Sequence, residues 1–194
     1  MEVSEKIEMV FVCCYFNPCN YLSKYINFLI FYQEFRKNSN VDLLVVESYN
    51  NNSKYRIRTN VDNLISVKSE SILWEKEALL NIGINKTKTK YKYVGWVDAD
   101  VFFVSKNWEQ EILSQLKDNN IVQICKIIHQ QKSHENLDSD KTYSMCHYAR
   151  KSDDMESIYL SRLGEPGYGC VYNSSIFKNT KTPLYDKAIM GSGD

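Results

Sequence analysis

The sequence is poor in the residues that interrupt or replace a packed fold. Of 194 residues, 7 are glycine and 3 are proline, which excludes a collagen-like or proline-rich disordered chain. Charge of one sign is not in surplus, because 24 basic side chains balance 24 acidic ones. Since a polyanion partner requires a surplus of lysine and arginine, this balance argues against nucleic acid binding. What remains, with 43% hydrophobic and 13% aromatic residues, is an ordered globular protein.

The sequence also lacks segments that would direct it to a membrane. Its longest apolar stretches, over residues 26–32 and 93–104, are interrupted by polar residues and fall short of the about 20 residues that a membrane-spanning helix needs. Residues 1–6 contain no basic region leading into an apolar run, so no secretory signal is expected. The six cysteines form no CxxC pair, which favours a reducing compartment. We therefore expect a cytoplasmic protein without a membrane span.

Hydrophobic periodicity predicts an α/β fold. Apolar runs of strand length occupy residues 9–14, 42–47, 64–67, 93–97, 101–104, 121–125 and 168–172, and helical spacing occupies residues 20–37, 71–86, 105–117 and 173–177. Ser71 is predicted to cap the second helix. Alternating strands and helices favour parallel pairing, so we predict a mostly parallel central sheet flanked by helices, in a single Rossmann-like domain over residues 1–194. The polar stretch over residues 129–163 is predicted to be an insertion or active-site loop.

Two carboxylates follow directly on a predicted buried strand. Asp98 and Asp100 are separated by Ala99 and come after the apolar run at residues 93–97. Open α/β sheets bind their ligands at the carboxyl ends of the strands. Two close carboxylates repel each other unless a cation lies between them, and their hard oxygens suit Mg²⁺ or Mn²⁺, which in turn hold phosphate oxygens. The motif therefore predicts a metal site, with an acidic turn as the structural alternative.

Four sequence blocks follow one another along the chain. They are a helix ending in hydrophobic-Asn-hydrophobic-Gly-hydrophobic (73–84), the acidic motif (97–100), a Gly-led strand entering a short helix (167–177) and a Gly-rich acidic segment (183–194). In content and order the blocks resemble those of the nucleotide-sugar-dependent glycosyltransferases of the GT-A fold, in the galactosyltransferase-like and family-2-like branches. The resemblance implies a nucleotide-binding half over about residues 1–104 and an acceptor half over about 105–194. Because further chain follows the last block in that family, we expect a domain truncated at its carboxyl end.

The resemblance implies a metal-dependent glycosyltransferase that moves a sugar from a nucleoside diphosphate sugar, with UDP as the nucleotide, to a hydroxyl acceptor such as a glycan. It places Tyr15 and Asn17 in a loop after the first strand, against the nucleoside, and Glu47 against the base or ribose. It assigns further donor contacts to Lys76, Asn81, Asp98 and Ala99, the metal (Mn²⁺ or Mg²⁺) to Asp98 and Asp100, the acceptor side to Gly169 and the catalytic base to Asp194. With a carboxylate base acting on the acceptor hydroxyl, transfer is expected to be inverting.

Several of these positions also have a structural interpretation. Tyr15 continues an apolar run and suits a core, Asn17 precedes a proline and suits a turn, and Glu47 suits a solvated loop. Asn81 lies between apolar neighbours, so its amide would be partly buried and must find hydrogen-bond partners.

Two other functions are compatible with the residues. The segment from Asp98 to Val101 partly matches the DxDx(T/V) pattern of haloacid-dehalogenase-like phosphatases, in which the first aspartate is the nucleophile. That motif normally follows the first strand of its fold, whereas here several predicted strands precede it. The second alternative is a nucleotide-sugar-binding module with weak or no turnover.

Overall fold

Strands and helices alternate along the chain in a computed structural model, which describes residues 8–73, 75–130, 140–149, 167–185 and 187. The strands are β1 (Met9–Phe16), β2 (Asp42–Tyr49), β3 (Leu64–Lys68), β4 (Tyr93–Val97), β5 (Ile121–Gln123), β6 (Ile127–Gln130), β7 (Asp140–Tyr143) and β8 (Gly169–Asn173). The helices are α1 (Leu22–Asn38), α2 (Lys76–Thr87), α3 (Trp108–Gln115) and α4 (Met145–Ala149), and a 3₁₀ turn covers Ser174–Phe177. None of the described helices is long and apolar enough to cross a membrane.

Six of the strands form one sheet in the order β3-β2-β1-β4-β8-β5, and β6 pairs with β7 in a separate hairpin. Strand β1 pairs in parallel with β2 and β4, and β2 pairs in parallel with β3. Strand β8 runs antiparallel to both of its neighbours, β4 and β5. The prediction of an α/β fold with a mostly parallel central sheet flanked by helices is therefore confirmed.

Strand β1 is buried on both faces, which explains its continuous apolar sequence. Phe11 and Cys13 belong to a core cluster that includes residues of α1 and α3, whereas Val10 and Val12 belong to a second cluster with residues of α2. Since successive residues of a strand point to opposite faces of its sheet, these two clusters mark the two faces. The sheet therefore lies between α1 and α3 on one side and α2 on the other.

Helix α2 approaches β1 very closely at Gly83. A Cβ atom added at this position would lie 2.3 Å from Val12 Cγ1, so any side chain would push the helix away from the sheet. The glycine in the first sequence block is thus needed for the close packing of α2 on β1. At the start of the same helix, the Cys14 thiol contacts the Lys76 carbonyl at 3.9 Å. Together these contacts hold the amino end of α2 above the carboxyl end of β1.

The segment over residues 101–104 is not the strand that its apolar run predicted. Phe103 stacks on Trp108, with ring centroids 3.9 Å apart, whereas Val104 is 88% exposed. The apolar run therefore combines a ring packed on α3 with a side chain in solvent, in a segment that leads into α3 instead of extending β4.

Two further predictions differ from the structure. Helix α2 begins at Lys76 and not near Ser71, because the Ser71 hydroxyl accepts a hydrogen bond from the Leu73 amide in a local turn. The stretch over residues 129–163, predicted to be a loop, contains part of β6, all of β7 and α4 within its described residues. Its polar sequence hid these elements because the hairpin is short and lies outside the main sheet.

Candidate functional site

A cavity of about 450 Å³ opens at the carboxyl ends of β1 and β4. Strand β1 is the point at which the chain changes direction across the sheet, since β2 and β3 lie on one side of it and β4 on the other. In open α/β sheets the crevice at such a point is where ligands bind. The walls come from β1, α1, the start of α2 and the turn after β4, and they carry four charged side chains, Lys24, Lys76, Asp98 and Asp100.

A second cavity, of about 540 Å³, lies between the end of α1 and residues 101–106. Its lining contains one carboxylate, Glu34, and one lysine, Lys106. It is larger than the first cavity but has neither a carboxylate pair nor a position at the strand ends. The chemistry of the lining therefore favours the first cavity as the functional site.

The turn after β4 directs both predicted metal ligands to the first cavity. The Asp98 amide donates to the Tyr168 carbonyl at 3.1 Å, and the Asp98 carbonyl accepts from the Val101 amide at 3.4 Å. These bonds close a tight turn in which Asp98, Ala99 and Asp100 all line the cavity. The Asp98 side chain is 32% exposed, so its carboxylate is reachable but not fully hydrated.

Lys76, the first residue of α2, is held against this turn from two sides. Its Nζ lies 3.0 Å from Asp98 Oδ1 and 4.2 Å from the centre of the Trp96 ring. The lysine side chain is only 12% exposed. A positive charge at the amino end of a helix opposes the helix dipole, and the Asp98 carboxylate offsets that cost.

The electrostatics of the site favour additional positive charge. Desolvation by the surrounding protein raises the pKa of Asp100, the negative charge of Asp98 raises it further, and Lys76 and Lys24 only partly oppose this shift. Partial burial in turn lowers the pKa of Lys24 on α1. The two carboxylates thus repel each other even with two lysines nearby, and a divalent cation would relieve that repulsion.

The donor set fits Mg²⁺ or Mn²⁺ completed by a substrate. Among the described residues no group of three or more His, Cys, Asp or Glu side chains could hold a metal ion. Mg²⁺ usually binds through one or two carboxylates, with water and substrate phosphates as the other ligands. Asp98 and Asp100 match that arrangement.

Tyr15 does not lie in the loop after the first strand, because β1 continues to Phe16, whereas Asn17 directly follows β1. Tyr15 is 3% exposed, donates its hydroxyl proton to the Tyr55 carbonyl at 3.0 Å and accepts from Asn17 Nδ2 at 3.2 Å. Asn17 Nδ2 also donates to the Tyr21 carbonyl, and Asn17 Oδ1 accepts from the Tyr21 backbone amide. Asn17 therefore shapes the turn into α1, and Tyr15 forms part of the cavity wall.

Glu47 lies in the protein interior. Its side chain is 0% exposed, and its carboxylate accepts hydrogen bonds from Arg56 Nη2 at 2.8 Å, the Ile57 amide at 3.0 Å and the Ser66 hydroxyl at 2.9 Å. Both oxygens therefore have partners within the protein, including an ion pair with Arg56, and the contact with a base or ribose stays a prediction.

Asn81 also has partners within the protein, and its donor contact stays a prediction. It is 4% exposed, its Nδ2 donates to the Leu184 carbonyl at 2.9 Å and its Oδ1 accepts from the Leu184 amide at 2.8 Å. Asn85 and Lys88, further along α2, bond the carbonyls of Lys181 and Thr180. The asparagine of the first block thus fastens the segment near residue 184 to α2.

Replacing Asn81 by Asp tests the two hydrogen bonds between the Asn81 side chain and the Leu184 backbone. The change keeps the size of the side chain but places a carboxylate oxygen against the Leu184 carbonyl, so we expect the free energy of unfolding to fall by about 2 kcal/mol. Urea denaturation measures this loss, and Asn85→Asp, at an exposed position of the same helix, is the control with a smaller effect. Weaker UDP binding by Asn81→Asp at unchanged stability would instead favour the predicted donor contact.

The remaining predicted residues have different positions. Ala99 lies in the cavity wall between the two carboxylates. Gly169 begins β8 opposite Val97, and a Cβ atom there would lie 2.5 Å from the Trp96 carbonyl oxygen. Gly169 is therefore required by the close packing of β8 on β4. Asp194, the predicted base, lies outside the described residues.

Sequence reasoning missed the contribution of α1 to the cavity. Ser23, Lys24 and Asn27 line it from the first turns of that helix, on the same face because their spacing is three and four residues. The sequence does contain an indication, because these polar residues lie among the aromatic residues of the first helix, directly after β1. Arg56, the partner of Glu47, was also missed because it lies in an irregular segment between β2 and β3.

Comparison with known proteins identifies the fold. No protein-family model matches the chain, and no curated protein matches its sequence. A solved 4-diphosphocytidyl-2C-methyl-D-erythritol synthase from Anaerococcus prevotii matches 98% of this chain and 81% of its own, with a TM-score of 0.55 and 9% identity. A glucosyl-3-phosphoglycerate synthase from Mycobacterium tuberculosis, solved with uridine diphosphate, matches 87% of this chain and 57% of its own, with a TM-score of 0.48 and 13% identity.

At 9% identity the first likeness shows a shared fold. The chain is thus an α/β protein with a Rossmann-like, mostly parallel sheet, as its strand order indicates. Function has to be argued from the site, because one fold hosts many activities.

Proposed function

We propose that this chain is a metal-dependent glycosyltransferase that takes a sugar from a nucleoside diphosphate sugar, with UDP as the nucleotide, and transfers it to a hydroxyl acceptor such as a glycan. The observation that carries the proposal is the pair Asp98 and Asp100 beside Lys76 in the crevice between β1 and β4. A diphosphate can be bound by a divalent cation that the two carboxylates hold, together with the neighbouring ammonium group. The Anaerococcus enzyme of this fold is named for a diphosphocytidyl product, which adds support.

Each residue has a defined part in the proposed transfer. Asp98 and Asp100 would hold Mn²⁺ or Mg²⁺, which would supply stabilisation of the negative charge on the departing diphosphate. Lys76 pairs with phosphate oxygens. Asp194 accepts the proton of the acceptor hydroxyl while the acceptor oxygen bonds the anomeric carbon and the bond from that carbon to the phosphate oxygen breaks. Displacement in one step inverts the configuration at that carbon.

The proposal is tested first by ligand binding and then by the product. UDP and a panel of UDP-sugars, with Mn²⁺ or Mg²⁺, are expected to raise the melting temperature because a ligand stabilises the state that it binds. NMR of the product formed with a glycan acceptor is expected to show an inverted anomeric centre. A retained configuration would contradict the role of Asp194, and binding with neither transfer nor donor hydrolysis would indicate a binding module. Release of pyrophosphate from a nucleoside triphosphate would indicate nucleotidyl transfer instead.

The position of Asp98 does not favour the phosphatase alternative. It follows β4, the fourth strand along the chain, whereas the nucleophile of that class normally follows the first. Its Oδ1 is also ion-paired with Lys76, which makes the carboxylate a weaker nucleophile. Release of phosphate from a phosphomonoester by the purified chain would revive this alternative.

A further inference from the structure

The Lys76 ammonium contacts one of the two carboxylate oxygens of Asp98, a predicted metal ligand. Its Nζ is 3.0 Å from Asp98 Oδ1, and the Trp96 ring, 4.2 Å away, contacts the same ammonium from another side. Both partners are largely withdrawn from solvent, with 12% exposure for the lysine side chain and 32% for the aspartate. Such a pair is screened less by salt and water than an exposed one, so Lys76 is a strong competitor for this carboxylate.

A divalent cation bound to Asp98 would be repelled by the Lys76 ammonium, which contacts the same carboxylate. Mg²⁺ lies about 2.1 Å from a carboxylate oxygen, so on the oxygen that Lys76 already contacts, the two cations would be close neighbours with little water between them. Asp100 would remain as the other carboxylate, and the described residues offer no third His, Cys, Asp or Glu ligand. The metal alone would therefore gain few ligands and meet an unfavourable charge.

A nucleoside diphosphate changes this balance because it supplies what both cations need. Its phosphate oxygens are ligands for the metal and an alternative partner for the Lys76 ammonium, which sits on a flexible four-carbon stem. The lysine also begins α2, and the amino end of a helix favours an anion. Since the cavity walls carry two lysines and two aspartates, joint binding of the metal and the nucleotide keeps the site closer to neutral than binding of either alone.

We propose that Lys76 is an internal counter-ion of Asp98 that makes metal binding depend on the nucleotide. In the ligand-free protein the Lys76 ammonium takes the place of the metal beside Asp98. When the metal and the nucleotide bind, the ammonium moves from Asp98 to the diphosphate. Lys76 is thereby a positioning residue that sets the order of assembly. The inference rests on the proposed function, because it assumes that the site accepts a nucleoside diphosphate with a divalent cation.

Manganese titration of the full chain tests the inference. The electron paramagnetic resonance signal of free Mn²⁺ is followed with and without UDP, for the wild type and for Lys76→Met, which keeps the stem over Trp96 but removes the charge. We expect Lys76→Met to bind Mn²⁺ alone about tenfold more tightly than the wild type does, and to show a smaller gain in Mn²⁺ affinity when UDP is added. Lys76→Arg, which retains the charge, is expected to keep the dependence on UDP.

Lys24→Met is the matched control, since Lys24 lies in the wall of the same cavity. It removes one positive charge, so an equal gain in Mn²⁺ affinity by Lys24→Met would attribute the effect to net charge and overturn the inference.

Equal Mn²⁺ affinity of the wild type and Lys76→Met, with UDP-dependent binding in both, would overturn the inference and leave the proposed function in place. If neither protein bound Mn²⁺ in the presence of UDP, the proposed function would fail, and the inference with it. Thermal melting of each variant checks its folding, and Lys76→Gln replaces Lys76→Met if the latter is unfolded.

Discussion

Asp98→Asn is expected to abolish metal-dependent binding of UDP. The amide has nearly the same shape as the carboxylate but carries no charge, so it binds a divalent cation poorly and no longer neutralises Lys76, 3.0 Å away. Truncating one partner of a desolvated charge pair costs about 2–5 kcal/mol of binding free energy, so a loss of about 30-fold or more in UDP affinity is expected. Isothermal titration calorimetry with UDP in the presence of Mn²⁺ measures it.

Asp100→Asn separates binding from stability. The raised pKa of Asp100 means that the folded protein disfavours the charged carboxylate relative to the unfolded chain. Removal of this charge is therefore expected to leave the ligand-free protein at least as stable at neutral pH, while UDP affinity with Mn²⁺ still falls. Asp118→Asn, an exposed acid beyond α3, is the control for an acid-to-amide change. Unchanged affinity in both site variants would contradict the proposed metal site.

The fold was predictable where hydrophobic pattern and element length agree. Strand β1 reads as a continuous apolar run because both of its faces are buried, and α1 follows with aromatic residues at helical spacing, of which Phe28, Phe31 and Phe35 are buried. The pattern failed at residues 101–104, an apolar run in which Phe103 packs against α3 and not within a sheet. Periodicity reports which side chains are buried but not which element covers them.

The site was predictable only where chemistry is local in sequence. Asp98 and Asp100 follow a buried strand, and that adjacency alone placed them at the strand end. The role of Asn81 depends on Leu184, which is 103 residues further along the chain, and that of Glu47 depends on the conformation of a segment without regular structure. A resemblance supplies a function for such polar residues, but only the three-dimensional contacts show which hydrogen-bond partners they have within the protein.

The internal pair of Glu47 and Arg56 has the largest expected effect on stability. Glu47 is 0% exposed, and the Arg56 guanidinium both bonds its carboxylate at 2.8 Å and stacks 3.4 Å from the centre of the Tyr49 ring. Removing one partner leaves an uncompensated buried charge, so Arg56→Met is expected to lower the free energy of unfolding by about 3–5 kcal/mol. Urea denaturation measures the loss, and Arg58→Met, at an exposed position two residues further on, is the control with little effect.

A double variant determines how much of that loss is due to the stranded charge. Glu47→Gln combined with Arg56→Met removes both charges, while the carbonyl oxygen of the introduced amide can still accept from the Ile57 amide, which now bonds Glu47 Oε1 at 3.0 Å. Because replacing a buried ion pair by neutral groups is often nearly neutral in stability, we expect the double variant to recover most of the loss and to retain only the part due to stacking on Tyr49. If the double variant were no more stable than Arg56→Met, the carboxylate would not be what makes that substitution costly, and Glu47 would again be open to a role outside the core.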